Sequence, residues 1–329
     1  MTPDPIAIEV SNLTKKYGEV LAVNNISFSV NQGELFGFLG PNGAGKTTTI
    51  NMLTGLAGLD SGTINISGID CTRNPKAAQH LVGIVPDESN LYPELTGFDN
   101  LCFCASLYGI RKNERQRRAR ELLETFGLTD AANRKFAGYS KGMKRKLTFA
   151  AGIIHQPHIL FLDEPTTGID VASARQIRQI ISNLHLKGTT VFLTTHYIEE
   201  AERLCERIAF IVKGKIVRTD RTSYLLQPVK DKNILLISVS NSALKMPEEI
   251  IRSFPRYLFK STATGEIRIE STAQIAVGAV VRLMEERGIQ VTEARRLTPS
   301  LEDVFIQVTG IEAGLMKKEK EKSGGGGNQ

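Results

Sequence analysis

A glycine-rich segment with one lysine constrains this chain more than any other feature. Residues 40–47 read Gly-Pro-Asn-Gly-Ala-Gly-Lys-Thr, which matches the phosphate-binding loop pattern GxxxxGK[ST] at every fixed position. The apolar run Leu35–Leu39 precedes this segment, and a helical pattern over 46–56 follows it. Because such a loop works between a strand and a helix, the context predicts an α/β fold built around a nucleotide-binding turn.

Each part of the loop has a chemical task at a triphosphate. The glycines allow backbone N–H groups to face the phosphates, and the following helix directs its positive end to the same place. Lys46 is predicted to reach the β- and γ-phosphates, and Thr47 to offer its hydroxyl to Mg²⁺. The predicted ATP-binding residues of the loop are Gly40, Pro41, Asn42, Gly43, Ala44, Gly45, Lys46, Thr47 and Thr48.

A second segment, Ile159–Glu164, is an apolar strand that ends in two carboxylates. Asp163 is predicted to hold Mg²⁺ through water, since this ion prefers hard oxygen donors. Glu164 is the candidate general base for the water that attacks the γ-phosphate. Like charge beside the γ-phosphate disfavours ionised Glu164 unless it takes up or shares a proton, which suits a base. The two segments together predict binding and hydrolysis of a nucleoside triphosphate.

Composition limits the setting in which this chemistry takes place. A chain of 329 residues is long enough for about two domains. No apolar stretch approaches the roughly 20 residues that a membrane-spanning helix needs, and the start lacks the order of a secretion signal. The four cysteines lack CxxC spacing, so reduced thiols are expected rather than a zinc or redox site. We therefore expect a cytoplasmic chain whose role at a membrane comes through a partner.

Positive charge is concentrated in one part of the chain. Residues 111–146 contain twelve Lys/Arg and four Asp/Glu, whereas the whole chain has a net charge of +6. Such a segment can be a solvated helix face, or it can meet phosphates, lipid headgroups or nucleic acid. Both interpretations remain open from sequence.

The first predicted domain covers residues 1–227. Near-continuous apolar strands alternate with helices there, which indicates a parallel sheet covered on both faces. Residues 88–155 have helical spacing and many charges, which predicts an inserted helical subdomain. A helix is expected over 171–186, and a hairpin with its turn at Lys213-Gly214 is expected at the end of the domain.

The second predicted domain covers residues 228–310. Its β-α-β-β-α-β order suits a small ferredoxin-like α+β fold. We predict a helix over 272–287 with a capping box at Ser271 and Gln274. A last helix is predicted to begin at Thr298-Pro299, with proline at the first helical position. Residues 311–329 are predicted to be a disordered tail.

Three further motifs occur in a fixed order around the two nucleotide segments. Residues 139–143, Tyr-Ser-Lys-Gly-Met, resemble the LSGGQ signature of ATP-binding cassette (ABC) proteins, with matches at Ser140 and Gly142. Thr167-Gly168-Ile169-Asp170 looks like the D-loop of that family. His196 follows an apolar strand, as the family's switch histidine does. With Tyr17 where the family has its adenine-stacking aromatic, the order of motifs over 6–220 resembles that of an ABC ATPase.

This resemblance implies a P-loop NTPase cassette with a mixed sheet core, and it implies how the site is assembled. Ser140 and Gly142 would bind the γ-phosphate of the ATP held by a second copy, so a homodimer would hold two ATP molecules head to tail. His196 would contact the γ-phosphate and orient the water, and Asp170 of the D-loop would belong to the same nucleotide site.

One position departs from the family pattern. Val82–Asp87 resembles the segment with the Gly-x-x-Pro-Gln pattern of the family's Q-loop, but Asp87 replaces the glutamine. Aspartate can still ligate Mg²⁺, although it is shorter by one methylene and adds a charge beside the phosphates. We predict altered coupling of Mg²⁺ to domain motion rather than lost hydrolysis. The alternative is that Asp87 is an ordinary loop residue.

Two other segments favour a subclass. Residues 298–305 with Thr309-Gly310, and residues 92–97, resemble exporter-type ABC ATPases, a group that includes drug, lipid and sodium efflux. The implied partner is a multi-span permease encoded separately, which would place this chain on the inner face of the cell membrane. No nucleic-acid partner is expected. The alternatives are a soluble ABC ATPase that acts on nucleic acid or ribosomes and a nucleotide-binding regulator without turnover.

Overall fold

The structure is a computed structural model of the chain, and it describes residues 5–230, 232–240, 247–262 and 265–311. Two compact units divide between Arg221 and Thr222. The elements of the first unit are β1 (Ile6–Tyr17), β2 (Val20–Asn31), β3 (Leu35–Leu39), α1 (Lys46–Leu53), β4 (Ser61–Ile66), β5 (Ile69–Asp70), β6 (Val82–Val85), α2 (Gly97–Leu107), α3 (Lys112–Thr125), α4 (Lys141–Ile153), β7 (Ile159–Asp163), α5 (Val171–Leu186), β8 (Thr190–Thr195), α6 (Ile198–Leu204), β9 (Arg207–Val212) and β10 (Lys215–Arg221).

A six-stranded sheet positions the nucleotide segments. Its strand order is β10-β9-β3-β8-β7-β6, and all neighbours are parallel except the antiparallel pair β9 and β10. Every residue of β3, β7 and β8 is buried, as expected for parallel strands covered on both faces. The carboxyl ends of these three adjacent strands meet at one sheet edge, which is where α/β sheets bind ligands.

A second sheet completes the core of the first unit. It is antiparallel with the order β2-β1-β4-β5. Phe28 of β2 lies 5.7–5.9 Å, between ring centroids, from Phe36 and Phe38 of β3 and Phe192 of β8. This aromatic contact joins the two sheets and supports β3 directly before the glycine-rich loop.

The helical insertion lies between β6 and β7 and consists of α2, α3 and α4, in agreement with the prediction for 88–155. On α3, Arg117 pairs with Glu114 and Glu121, and Arg118 pairs with Glu114. Part of the basic segment is therefore an ordinary solvated helix face with i,i+3 and i,i+4 ion pairs. The predicted hairpin is also present, with Lys213 and Gly214 both at left-handed φ, 47° and 74°.

The second unit contains α7 (Thr222–Lys230), β11 (Asn233–Val239), α8 (Glu248–Ser253), β12 (Leu258–Ser261), β13 (Ile267–Ser271), α9 (Val277–Glu286), β14 (Val291–Leu297) and α10 (Leu301–Thr309). Its antiparallel sheet has the order β12-β13-β11-β14, and a hydrophobic core of its own includes Leu235, Ile269 and Met284. The β-α-β-β-α-β order from β11 to β14 is the predicted ferredoxin-like one.

Two helix starts in the second unit differ from the prediction. α9 begins at Val277 rather than 272, because Ser271 accepts a hydrogen bond from the N–H of Ala273 in a turn instead of capping a helix. α10 begins at Leu301 rather than at Pro299, because Ser300 and Asp303 form a capping box.

Two of the predicted domain boundaries can be compared with the structure. Pro228, where the sequence pattern changes, lies inside α7 rather than in a linker, seven residues after Arg221, the last residue before the division. The predicted tail 311–329 lies outside the described residues apart from Ile311.

Candidate functional site

The glycine-rich loop lies between β3 and α1, and its shape requires glycine. Gly43 and Gly45 have left-handed φ of 75° and 102°. A Cβ on Gly40 would lie 2.2 Å from the carbonyl oxygen of Ile211, and a Cβ on Gly45 would lie 2.4 Å from that of Ala22. The backbone of the loop therefore packs too closely against its neighbours to carry side chains at these two positions.

Lys46 begins α1 and turns its ammonium back under the loop. Its Nζ donates to the carbonyl oxygens of Gly40 at 2.8 Å and Pro41 at 3.1 Å, and it lies 3.2 Å from Oε1 of Glu164. The residue is only 6% exposed. A buried cation with three oxygen partners holds the loop and the end of β7 together.

The two carboxylates stand at the end of β7 and point to different partners. Asp163 accepts hydrogen bonds from the hydroxyls of Thr194 and Thr47. Glu164 has left-handed φ of 49°, which is uncommon for a residue other than glycine. Its Oε2 accepts from the Thr167 hydroxyl at 3.0 Å and lies 2.7 Å from Nδ1 of His196.

Burial and neighbouring polar or charged groups shift the pKa values of these carboxylates in opposite directions. Burial raises the pKa of Asp163 above its ordinary value, only partly opposed by the hydroxyls of Thr194 and Thr47. Burial also raises the pKa of Glu164, but the hydrogen bond with His196 and the charge of Lys46 outweigh it, so this pKa lies below its ordinary value. Without a nucleotide, Glu164 is therefore stabilised as a carboxylate, and the predicted like-charge destabilisation concerns the site with a γ-phosphate bound.

A cavity of about 510 Å³ opens beside the loop. It brings together eight of the residues predicted for the nucleotide site and adds hydrophobic residues from the start of β2. Its lining is Val20, Leu21, Ala22, Asn42, Gly43, Gly45, Lys46, Thr47, Thr48, Asp87, Glu164 and Lys213. Asp87, from the loop after β6, is thus placed at the same cavity as Lys46 and Glu164.

Tyr17 is half exposed at the end of β1, where it pairs with Val20 of the cavity wall. Lys15 Nζ lies 5.3 Å from the centroid of the Tyr17 ring. The ring is therefore accessible next to the cavity and already carries a cation over one face.

The residues of the signature and the D-loop lie away from this cavity in the described part of the chain. Ser140 caps α4 by accepting a hydrogen bond from the N–H of Met143 at 3.3 Å. Asp170 caps α5 by accepting from the N–H of Ser173 at 2.9 Å. A Cβ on Gly142 would lie 2.7 Å from Oγ of Ser173 and 2.9 Å from Oδ2 of Asp170. The starts of α4 and α5 therefore pack directly on each other at Gly142.

Arg145 of α4 contacts the site and was missed by the sequence analysis. Its guanidinium is buried and donates to backbone carbonyls on both sides of Glu164 and in the Asp87 loop. No sequence signal separates it from the neighbouring Lys144 and Lys146. Thr194 and Thr167, which bind the two carboxylates through their hydroxyls, were also not predicted as hydrogen-bond partners.

The donor set fits Mg²⁺ bound together with a nucleotide. Among the residues that the structure describes, no three His, Cys, Asp or Glu side chains form a metal-binding group. Mg²⁺ at phosphate sites needs no such cage, since one or two carboxylates and the phosphates serve as its anionic ligands. The Thr47 hydroxyl and the Asp163 carboxylate, already joined by a hydrogen bond, are hard oxygen donors of this kind.

No helix within the described ranges has both the length and the apolar character needed to cross a bilayer.

A family model described as "ABC transporter" matches residues 23–167. A solved structure of a dimeric ATP-binding cassette with ADP and Pi bound is 28% identical with a TM-score of 0.62, covering 65% of this chain and 98% of its own.

Two curated relatives match along nearly their whole length. The linearmycin resistance ATP-binding protein of Bacillus subtilis (strain 168) is 37% identical over 308 residues, which is 92% of this chain and 98% of the relative. The daunorubicin resistance ATP-binding protein of Streptomyces coeruleorubidus is 34% identical, over 93% of this chain and 96% of the relative.

Proposed function

The chain belongs to the ABC transporter family, and from this premise we propose that it is the ATP-hydrolysing motor subunit that powers export through a separate membrane permease. ATP-binding subunits of this family work together with membrane permeases, and their cassettes are ATPases. Both relatives described above are named as resistance proteins, which supports export as the direction of transport.

The cluster of Lys46, Glu164 and His196 carries the proposal. Lys46 would exchange its contact with Glu164 for the β- and γ-phosphates of ATP. Glu164 would take the proton of the attacking water, and His196, 2.7 Å from its Oε2, would hold the carboxylate in position. Thr47 and Asp163 would hold Mg²⁺, which supplies charge neutralisation at the phosphates when bound.

We propose that two copies bind two ATP molecules head to tail. Ser140 and Gly142, at the start of α4, do not line the nucleotide cavity of their own copy among the described residues. A second copy would therefore have to supply them. The N-terminus of α4 is suited to a γ-phosphate because its N–H groups and helix dipole favour anions. The related dimeric cassette supports assembly as a dimer.

Phosphate release from Mg·ATP tests the enzymatic part of the proposal. We expect Glu164→Gln to lose about 10²–10⁴-fold in turnover while it still binds ATP, because the general base is removed but the loop is intact. The same variant with ATP should elute as a dimer, and Lys46→Ala should fail to retain ATP. The matched control is Glu199→Gln on α6, an exposed glutamate whose loss should leave turnover unchanged. Turnover intact in Glu164→Gln would refute the assignment of the base.

An apolar groove on the first unit supports a proposed docking place for the permease. The groove, of about 280 Å³, contains Leu56 and Leu107, which are 66% and 69% exposed, and half-exposed Tyr108. The other residues of its wall are Leu53, Thr54, Pro75, Ala78, Gln79, Val82 and Ile84. We propose that a cytoplasmic segment of the permease inserts an apolar side chain here, which would hold the chain at the inner face of the membrane. We further propose that the motion caused by ATP binding and hydrolysis passes through loops near 87–100 to the permease.

Co-purification with the permease tests the groove. Leu107→Glu should reduce recovery of the permease without changing the ATPase rate of the isolated chain, because a charge cannot enter an apolar contact without a partner. The control is Leu186→Glu, at a leucine that is 81% exposed at the end of α5 and does not line the groove. Equal loss in both variants, or no loss in either, would contradict this docking site.

The alternatives receive no such support. None of the relatives and structures described above is named for a nucleic-acid or ribosome function. A regulator without turnover is disfavoured because Asp163, Glu164 and His196 are all in contact with partners suited to hydrolysis. Salt-sensitive binding of RNA or duplex DNA would revive the first alternative.

A further inference from the structure

We infer that Arg145 is a positioning residue that fixes the backbone on both sides of Glu164 and ties it to the Asp87 loop. This inference rests on the proposed ATPase function and goes beyond it by assigning a role to a residue outside the nucleotide motifs. Arg145 lies in the second turn of α4, after the signature segment, and is only 6% exposed.

The guanidinium binds the backbone on both sides of Glu164. Nη2 donates to the carbonyl oxygen of Asp163 at 2.8 Å, and Nε donates to that of Pro165 at 2.8 Å. These carbonyls belong to the residues directly before and after Glu164, whose own backbone is in the left-handed region. Because such a backbone is held only where its surroundings fix it, the two hydrogen bonds help to keep the Glu164 carboxylate in place.

The third nitrogen reaches a different loop. Nη1 donates to the carbonyl oxygen of Asp87 at 3.1 Å and also to that of Pro86. The guanidinium therefore connects the end of β7, the loop after β6 and α4. Only arginine offers planar donors in several directions from one side chain, whereas lysine offers three donors from a single point.

Charge strengthens the connection between Arg145 and the Asp87 loop. The Arg145 guanidinium is buried, and the negative charges of Asp87 and Asp163 attract it. Asp87 stands where the family resemblance expects a neutral glutamine, so this chain has an additional negative charge facing Arg145. The pair offers a physical reason why an aspartate can be tolerated beside phosphates: the buried guanidinium compensates part of its charge.

Arg145→Lys tests the inference, with Arg118→Lys as the matched control. Arg118 also lies in the helical insertion, pairs with a glutamate, and donates to a backbone carbonyl, that of Ile154 at 3.1 Å. We expect Arg145→Lys to bind Mg·ATP within about threefold of wild type, because the loop is untouched. Its kcat should fall about 10–100-fold with KM little changed, because a small displacement of a catalytic group costs this much. Arg118→Lys should keep the wild-type kcat.

A second measurement separates positioning from general stability. In hydrogen exchange on the full chain, Arg145→Lys should expose amides of residues 86–89 and 163–167 while the remaining amides of the first unit keep wild-type protection. Should Arg145→Lys not fold, Arg145→Gln, which keeps two amide donors, replaces it under the same criteria. In a chain that carries both Asp87→Gln and the Arg145 variant, kcat should differ by at least about twofold from the value expected if the two single effects simply multiplied.

The outcomes are separable. A wild-type chain without ATPase activity would refute the proposed function. An active wild type with Arg145→Lys within about twofold in kcat would refute only the positioning role. If Arg145→Lys lowered kcat, ATP affinity and the hydrogen-exchange protection of the whole first unit together, Arg145 would serve stability alone. That result would also overturn the inference.

Discussion

Glu164 lies among partners whose effects on its charge oppose that of burial. The Lys46 ammonium is 3.2 Å from Oε1, and Nδ1 of His196 is 2.7 Å from Oε2. Phosphates of ATP would compete for Lys46 and so remove one of the two groups that favour the carboxylate. The pKa of Glu164 would then rise on nucleotide binding, which is the direction that a general base requires.

The depressed pKa of Glu164 predicts a pH dependence of stability. Its folded pKa lies below the ordinary value of 4.5, so the ionised side chain stabilises the folded state above that pH, and this contribution is lost as the pH falls through the folded pKa. We expect the Tm of wild type to fall relative to that of Glu164→Gln as the pH is lowered from 5 to 3. Thermal unfolding of both proteins measures this difference, and a difference constant over that range would contradict the prediction.

Asp87 provides a second test at the scale of one residue. It lines the nucleotide cavity, where the resemblance expects glutamine. Asp87→Gln removes a charge that would face the phosphates, so we expect hydrolysis to continue with an altered Mg²⁺ requirement. Titration of the ATPase rate with Mg²⁺ at fixed ATP measures this change. An unchanged rate together with an unchanged Mg²⁺ midpoint would support the alternative that Asp87 is an ordinary loop residue.

Whether a residue could be predicted depended on how far away its partners lie in the chain. Lys46 was predicted because its motif is contiguous. Arg145 was not, because the carbonyls it binds are 18–59 residues away and are brought to it only by the parallel pairing of β6 with β7. The contact of Glu164 with Lys46 likewise depends on the strand order and not on any local pattern.

At the scale of elements, start signals competed with one another. α5 begins directly after Asp170 as predicted, and the Asp170 side chain caps it by accepting a hydrogen bond from the N–H of Ser173. For α10, Pro299 and Ser300 both offered a start, and the capping box of Ser300 with Asp303 prevailed. For α9, the Ser271 hydroxyl accepts a hydrogen bond from the N–H of Ala273 in a turn, and the helix begins only after this turn.

Gly142 allows two helix starts to touch, and its replacement tests this contact. We expect Gly142→Ala to lower both Tm and ATPase activity, because a Cβ would lie 2.7–2.9 Å from Ser173 and Asp170 at the start of α5. Gly278→Ala is the control at the same position of α9, where a Cβ meets nothing within 4 Å. That variant should gain about 0.5–1 kcal/mol from helix propensity. A similar gain in Gly142→Ala would show that the contact has no functional constraint.

For the whole molecule, the chain divides into two units between Arg221 and Thr222. Every residue predicted for the site lies before that division, and the second unit has its own sheet and core. The order of motifs predicted the cassette from sequence, and the β-α-β-β-α-β pattern predicted the fold of the second unit. The position of the division was not predictable because α7 continues through Pro228, a residue that usually ends a helix.

This division predicts that residues 1–221 are sufficient to bind ATP. All predicted contacts of the nucleotide, including those of Ser140 and Gly142 from a second copy, belong to residues of the first unit, so removal of the second unit should change the Kd for Mg·ATP by no more than about twofold. Fluorescent ATP titration of the full chain and of residues 1–221 measures this ratio, with Lys46→Ala in each as the control for loop-dependent binding. Circular dichroism establishes whether the shortened chain is folded. A folded chain of residues 1–221 that binds ATP tenfold more weakly would show that the second unit contributes to the nucleotide site, and the separation of site and second unit would then be wrong.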